Sequence, residues 1–112
     1  MSDEATFRRV AEVEASGRPA AVVTVVRTVG STPREAGARM IVLANGSSEG
    51  TIGGGRVEQE IIAAAREVIA SGTSRLLEMK LTQELGMCCG GQMTLFVEAL
   101  SSAPVLVIYG AG

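Results

Sequence analysis

The sequence predicts an α/β protein of the α+β type, in which a small mixed β-sheet is combined with two main helices. Three observations lead to this class. Apolar residues recur at helical spacing near the N-terminus and again after residue 55. Short segments that alternate between apolar and polar residues, or that are rich in β-branched residues, indicate strands. Glycine-rich turns separate these segments, and 112 residues are enough for one modest hydrophobic core.

Both predicted helices end at a glycine, which is a common C-terminal stop. The first covers residues 3–16 and ends before Gly17, and the second begins after residue 55 and ends before Gly72. The apolar face of the first helix is formed by Phe7, Val10, Ala11 and Val13. That of the second helix is formed by Val57, Ile61, Ile62, Ala65, Val68 and Ile69.

Four segments of the main part of the chain are predicted to be strands. Residues 20–26 are almost continuously apolar, as expected of a central strand that is covered on both faces. Residues 38–44 form a second strand, paired with the first like a hairpin with an elaborate connection. Residues 77–81 and 93–99 alternate between apolar and polar side chains, so they are two further strands, and they flank a loop that contains both cysteines.

Composition excludes several classes of function. The chain has a net charge of -2 and only three aromatic residues, so it offers no basic, aromatic surface for nucleic acid. It contains no histidine, which removes the Ser-His-Asp triad and the Cys-His dyad. Its acidic N-terminus is unlike a secretory signal, and its apolar runs are too short to cross a bilayer. The two cysteines are adjacent, which argues against a secreted disulfide scaffold and favours a reducing, cytoplasmic compartment.

The cysteine-containing segment, residues 86–91, has the sequence Gly-Met-Cys-Cys-Gly-Gly. Three flanking glycines are poor core residues, but they allow a ligand to approach the backbone closely. Two thiols cannot complete a four-ligand zinc site. The segment therefore predicts chemistry of a single thiolate: contact with a metal cofactor held mainly by other groups, sulfur transfer, or redox pairing.

Two further loops carry candidate anion-binding groups. Gly53, Gly54 and Gly55 precede the second helix, whose N-terminal N–H groups favour a phosphate, and Arg56 adds charge. A tight turn with no ligand is an equally reasonable interpretation of this triplet. A loop around Pro33 offers the hydroxyls of Ser31 and Thr32 and the guanidinium of Arg34, although most such loops are only turns.

Three segments, taken in order, carry a resemblance to a known family. Residues 30–40 read Gly-Ser-Thr-Pro-Arg-Glu-Ala-Gly-Ala-Arg-Met, residues 50–58 read Gly-Thr-Ile-Gly-Gly-Gly-Arg-Val-Glu, and residues 86–91 follow. Together they resemble the N-terminal domain of the XdhC/CoxI family, which comprises accessory proteins of molybdenum hydroxylases. The resemblance covers nearly the whole chain. It implies that residues 1–101 form this domain and that residues 104–112 are the truncated start of a Rossmann-type domain, since they read as a strand followed by Gly-Ala-Gly.

The resemblance implies a cofactor chaperone rather than an enzyme. Such a protein transiently binds the molybdenum cofactor, as molybdopterin or its dinucleotide form, and supports its sulfuration by a cysteine desulfurase. It then inserts the cofactor into a xanthine dehydrogenase-type molybdenum hydroxylase. A cytoplasmic homo-oligomer without nucleic acid or a membrane span is expected.

The family's Cys-Gly-Gly motif falls on Cys89, Gly90 and Gly91, which makes Cys89 the candidate contact for molybdenum. Cys88 departs from the family pattern and is the weaker of the two thiol candidates. The other residues expected to contact the cofactor are Ser31, Thr32, Arg34, Gly53, Gly54, Gly55, Arg56, Gly90 and Gly91.

Two alternatives stay open. The protein could be a nucleotide-dependent oxidoreductase related to xanthine dehydrogenase, with Cys89 as a redox or metal-contacting thiol. It could also be a structural dimerisation module in which the glycine loops pack at an interface.

Overall fold

The computed structural model of the chain describes residues 3–30, 32, 34–81 and 91–100, which form two helices and one five-stranded sheet. The elements in chain order are α1 (Asp3–Ser16), β1 (Ala20–Val29), β2 (Arg39–Leu43), β3 (Ser48–Gly50), α2 (Gly55–Ser71), β4 (Arg75–Lys80) and β5 (Gln92–Leu100). The strand order across the sheet is β3-β2-β1-β5-β4. The most apolar strand, β1, therefore lies at the centre, as its sequence predicts.

The α+β class is confirmed, and so is the antiparallel pairing of β1 with β2. A mixed sheet was expected, whereas all four strand pairings among the described residues are antiparallel. The reason lies in the crossover helix α2. It connects β3 with β4, which run in the same direction but lie at opposite edges of the sheet, so the two strands never pair. The strand predicted at residues 104–109 lies outside the described residues.

The main hydrophobic core lies between α2 and one face of the sheet. The helix packs against β1 and β5, and Ile61 at its middle is fully buried. Burial of such a side chain stabilises the fold by roughly 1.5–3 kcal/mol. The residues of α2 that are buried in this layer are Val57, Ile61, Ala64, Ala65 and Val68, with Ile62 and Ile69 packed at its border. The predicted face of this helix is confirmed, and Gly72 caps it in the left-handed conformation.

Helix α1 covers the opposite face of the sheet, over β1 and β2. The bounds predicted for it are confirmed, but its predicted apolar face is wrong in part. Val13 and Thr6 point inward and are buried, whereas Phe7 is 56% exposed and Ala11 is also exposed. The guanidinium of Arg9 fixes this rotation, because it forms a bidentate ion pair with Glu49 on β3 at 2.8–2.9 Å.

The exposed ring of Phe7 has a partner of a different kind. The guanidinium carbon of Arg39, at the start of β2, lies 4.7 Å from the ring centroid. This cation–π contact gives an exposed aromatic residue a role that helical periodicity alone does not indicate. None of the helices in the described part of the chain has the length and apolar character needed to cross a membrane.

Candidate functional site

The described residues of three segments singled out in the sequence lie at one end of the sheet. At this end β1, β3 and β4 finish and β2 and β5 begin. We call it the loop end and define it by its described residues, which are 30, 32, 34–39, 50–55, 81 and 91. The predicted site residues Ser31, Cys88, Cys89 and Gly90 lie outside the described residues. Helix α2 also begins at the loop end, directly after the second segment.

The first segment touches the end of the cysteine-containing segment. Gly30 follows β1, and a Cβ atom placed on it would lie 3.3 Å from the Cα atom of Gly91. The backbone N–H of Leu81 donates a hydrogen bond to the carbonyl oxygen of Gly91 at 2.8 Å. Residues 81 and 91 are therefore held together, and Gly91 lies beside Gly30. Both glycines permit an approach that larger residues would obstruct.

The loop between β1 and β2 is fastened to β1 by two backbone hydrogen bonds. The N–H of Gly37 donates to the carbonyl oxygen of Val25 at 2.7 Å, and the N–H of Val25 donates to that of Ala38 at 2.9 Å. Nearer the tip of the loop, the hydroxyl of Thr32 donates to the carbonyl oxygen of Arg34 at 2.9 Å. A cavity of about 250 Å³ is lined by residues 34–39, which include Arg34 and Arg39. This loop therefore presents two guanidinium groups around a small surface hollow.

The glycine triplet adopts a conformation that explains its composition. Gly53, Gly54 and Gly55 have φ angles of 90°, 66° and 53°. Three consecutive positive φ angles are tolerated by glycine and strained for other residues. Gly54 is the N-cap of α2, and a Cβ atom on Gly54 or Gly55 would meet no atom within 4 Å. The backbone conformation, rather than lack of space, therefore requires glycine at these positions.

Glu58, in the first turn of α2, is a residue of this site to which the sequence analysis gave no role. Its Oε2 atom accepts hydrogen bonds from the N–H groups of Ile52 and Gly54, both at 3.1 Å, and a short one from the hydroxyl of Thr51. The arrangement resembles a capping box, in which a glutamate in the first turn reaches back to the N-cap N–H. An acidic residue four positions after a glycine N-cap was the available sequence signal.

The first and second segments are joined through Arg34 and Thr51. The Nη1 atom of Arg34 donates to the carbonyl oxygen of Thr51 at 2.9 Å. Because the hydroxyl of Thr51 is bound to Glu58, the chain Arg34, Thr51, Glu58 links the two loops. The structure thus brings the predicted residues Arg34, Gly53, Gly54, Gly55 and Gly91 to one end of the sheet.

Two other features of the described residues bear on ligand binding. They contain no group of three or more cysteine, aspartate or glutamate residues placed to hold a metal ion. A second cavity, of about 330 Å³, lies between α2 and β4 and includes none of the predicted site residues. The candidate site is therefore the loop end rather than this cavity.

The fold and the loop end define a small α+β domain whose glycine-rich loops converge at one end of an antiparallel sheet. The sequence model of the XdhC and CoxI family matches residues 13–80, which is more than half of the chain. The chain belongs to this family, and the resemblance noted from its motifs is confirmed.

Two relatives from Escherichia coli K12 are similar over 95% of this chain. The uncharacterized protein YqeB is 36% identical over 110 residues, and the molybdenum cofactor insertion chaperone PaoD is 35% identical over 111 residues. The chain spans 20% of the length of YqeB and 35% of that of PaoD.

A solved structure has the same fold. The crystal structure of a xanthine dehydrogenase from Bacillus halodurans superimposes on this chain with a TM-score of 0.77. The match covers 90% of this chain and 31% of that chain at 23% sequence identity.

Proposed function

We propose that the loop end is the surface on which a molybdenum-cofactor accessory protein receives its cofactor. The observation that carries this proposal is that the described residues of the family's motifs lie together at one end of the sheet. Gly30 packs on Gly91, and Arg34 donates a hydrogen bond to Thr51. The similarity to PaoD, which is named as a molybdenum cofactor insertion chaperone, supports the same role.

The donor set fits the chemistry of the cofactor. A cysteine thiolate is a soft ligand that suits molybdenum. Because the family's Cys-Gly-Gly motif falls on Cys89, this residue is the proposed metal contact, with Cys88 as the weaker second thiol. The guanidinium of Arg34 uses one N–H on Thr51, and its planar fork of five N–H groups is suited to phosphate. When bound, the cofactor supplies the molybdenum centre and its sulfur chemistry, and the protein supplies the donors. The remaining proposed contacts are Ser31, Thr32, Gly53, Gly54, Gly55, Arg56, Gly90 and Gly91.

Glu58 limits what the glycine turn can offer to a phosphate. The N–H groups of Ile52 and Gly54 already donate to its carboxylate, and a phosphate placed against them would also be repelled by it. A phosphate at the loop end is therefore expected to contact Arg34 and other backbone donors of the turn. We therefore expect the phosphate on the side of the turn that faces the loop between β1 and β2.

The function that follows is a cytoplasmic cofactor chaperone without turnover of its own. It would hold molybdopterin or its dinucleotide form transiently, while a cysteine desulfurase supports sulfuration. It would then deliver the cofactor to a xanthine dehydrogenase-type molybdenum hydroxylase, and it would act as a homo-oligomer. The reducing compartment keeps the thiols available for this contact.

Cofactor content measured on purified protein tests this proposal. The full-length protein should be purified from cells that make molybdenum cofactor, and molybdenum and fluorescent pterin should be quantified. We expect both to co-purify with the protein, without xanthine oxidation when purine and an electron acceptor are supplied. Protein that carries neither molybdenum nor pterin would refute the proposal, and turnover without a client enzyme would favour the oxidoreductase alternative.

Substitution of the thiols gives the sharper test. Cys89→Ala should lower the bound molybdenum about tenfold or more, equivalent to about 1.4 kcal/mol of binding free energy, while the fold persists. Cys88→Ala is the matched control, because it removes an adjacent thiol of the same size and should have the smaller effect. Equal retention in the Cys89→Ala variant and the wild-type protein would remove this thiol from the mechanism.

A further inference from the structure

The carboxylate of Glu58 occupies a position from which it can control both loops of the site. Its Oε2 atom accepts three hydrogen bonds, from the hydroxyl of Thr51 and from the N–H groups of Ile52 and Gly54. We propose that Glu58 is a positioning residue, which holds the glycine turn and, through Thr51, sets the guanidinium of Arg34 for the phosphate of the cofactor. This inference rests on the proposed function, and it goes further because no family motif assigns a role to Glu58.

The glycine turn needs such a support. Three successive glycines have the widest conformational freedom of any residues, so fixing them costs more backbone entropy than fixing other residues. Neither Gly54 nor Gly55 is held by close packing at its Cα atom, since a Cβ atom there would meet nothing within 4 Å. The hydrogen bonds from Ile52 and Gly54 to Glu58 flank Gly53 and restrain the turn from its inner side.

Arg34 also depends on this restraint. The side chain of Arg34 is exposed. Among the described residues, its Nη1 atom donates a hydrogen bond to the carbonyl oxygen of Thr51. An exposed arginine loses about 2 kcal/mol of rotamer entropy when it is held in one geometry, so a ligand binds more tightly if the protein has already fixed the side chain. Glu58 accepts hydrogen bonds from the hydroxyl of Thr51 and from the N–H of Ile52, which belongs to the same peptide group as the carbonyl oxygen that binds Arg34.

A purely electrostatic role at the N-terminus of α2 predicts a different result. If only the negative charge at the N-terminus of α2 mattered, Glu58→Gln and Glu58→Ala would have similar effects, because both remove the charge. If the acceptor oxygen positions Thr51, Arg34 should stay nearly as well positioned in the glutamine variant as in the wild-type protein, because the amide oxygen can occupy the place of Oε2. The two variants therefore separate positioning from simple electrostatics.

The first experiment needs no cofactor. Full-length wild-type protein and the variants Glu58→Ala, Glu58→Gln and Glu60→Ala are treated with phenylglyoxal, and modification of each arginine is followed by peptide mass spectrometry. Arg34 should react up to about tenfold faster in Glu58→Ala, as expected when a hydrogen bond is lost, and only slightly faster in Glu58→Gln. Glu60→Ala is the matched control, an exposed glutamate on the same helix, and Arg18, at the opposite end of the sheet, is the internal reference. Unchanged reactivity of Arg34 in both Glu58 variants would overturn the inference.

The second experiment uses molybdopterin in a double-substitution cycle. Glu58→Ala should weaken molybdopterin binding about tenfold in the wild-type background and should have little further effect in Arg34→Ala, because its influence passes through Arg34. Additive losses of affinity would show that Glu58 does not act through Arg34, and would overturn the inference. If the wild-type protein does not bind molybdopterin at all, the proposed function fails, while the reactivity of Arg34 still decides the role of Glu58.

Discussion

Gly50, the last residue of β3, is the position at which a single methyl group should disturb both the fold and the loop end. Its φ angle is 80°, and a Cβ atom would lie 2.9 Å from the carbonyl oxygen of Arg39 and 3.4 Å from the Cα atom of Met40. A left-handed conformation costs a non-glycine residue roughly 1–2 kcal/mol, and a clash with backbone adds about 1–3 kcal/mol of overpacking. Alanine also reduces the conformational entropy of the unfolded chain, which offsets about 0.4–1 kcal/mol of this loss. We therefore expect Gly50→Ala to lower the free energy of unfolding by about 3 kcal/mol, within a range of about 1–5 kcal/mol.

Gly46 provides the matched control for this prediction. Its φ angle is 89°, but a Cβ atom there would contact only the flexible side chain of Arg66, at 3.6 Å. Gly46→Ala should therefore have the conformational cost but not the clash, and it should lower the free energy of unfolding by about 1 kcal/mol. Urea unfolding of both variants, followed by circular dichroism, measures the difference between their free energies of unfolding. Equal losses of stability in the two variants would refute the reasoning, because the contact with Arg39 would then contribute nothing.

Two further predictions concern the attachment of α1. The ion pair with Arg9 holds the pKa of Glu49 below its ordinary value of 4.5, so the stability it contributes is full above that value and is lost as the pH falls through the lowered pKa. Urea midpoints measured from neutral pH downward should show an acid-dependent loss that is smaller in Glu49→Gln, and identical pH profiles would contradict the pairing. Val13→Ala should cost about 2 kcal/mol because Val13 is buried, whereas Ala11→Ser on the exposed side of the same helix should stay within about 0.5 kcal/mol. The reverse order of the two losses would mean that α1 is rotated differently.

Periodicity predicted the elements whose burial is governed by one strong apolar face. The second helix was found with its face and its glycine stop, and β5 was found from the alternation of Met93, Leu95 and Val97, all of which are fully buried. The rotation of α1 escaped prediction, because it depends on the pairing of Arg9 with Glu49, forty positions away in the sequence. Local periodicity contains no information about such a partner.

The short strand β3 was missed for a different reason. It has three residues, all half-buried, so it carries neither alternation nor an apolar run. The irregularity of β1 between Val25 and Arg27 was missed as well, since it is defined only by the register with β5. Both features depend on the neighbouring strand rather than on their own composition.

At the candidate site, motifs indicated which loops matter, but not how they are connected. The residues of three glycine-rich segments were identified from the sequence, and the structure brings the described ones to the same end of the sheet. The connection through Thr51 and Glu58 could not be predicted, because it depends on the orientation of one peptide and one carboxylate. The thiol assigned by the family motif, Cys89, stays a prediction that the substitution experiment tests.

The central position of β1 has a consequence for the order in which the protein can be assembled. Its first neighbour, β2, follows it closely in the chain, whereas its second neighbour, β5, is distant in the sequence. Val29, for example, pairs with Gln92. Bringing such distant segments together has an entropic cost of loop closure, which is offset only by the contacts of the whole sheet. We therefore expect such contacts to form late in folding. The junction of Gly30 with Gly91 therefore cannot exist on a nascent chain that has not yet released β5 from the ribosome. A partly synthesised chain that lacks β5 would therefore have no completed loop end.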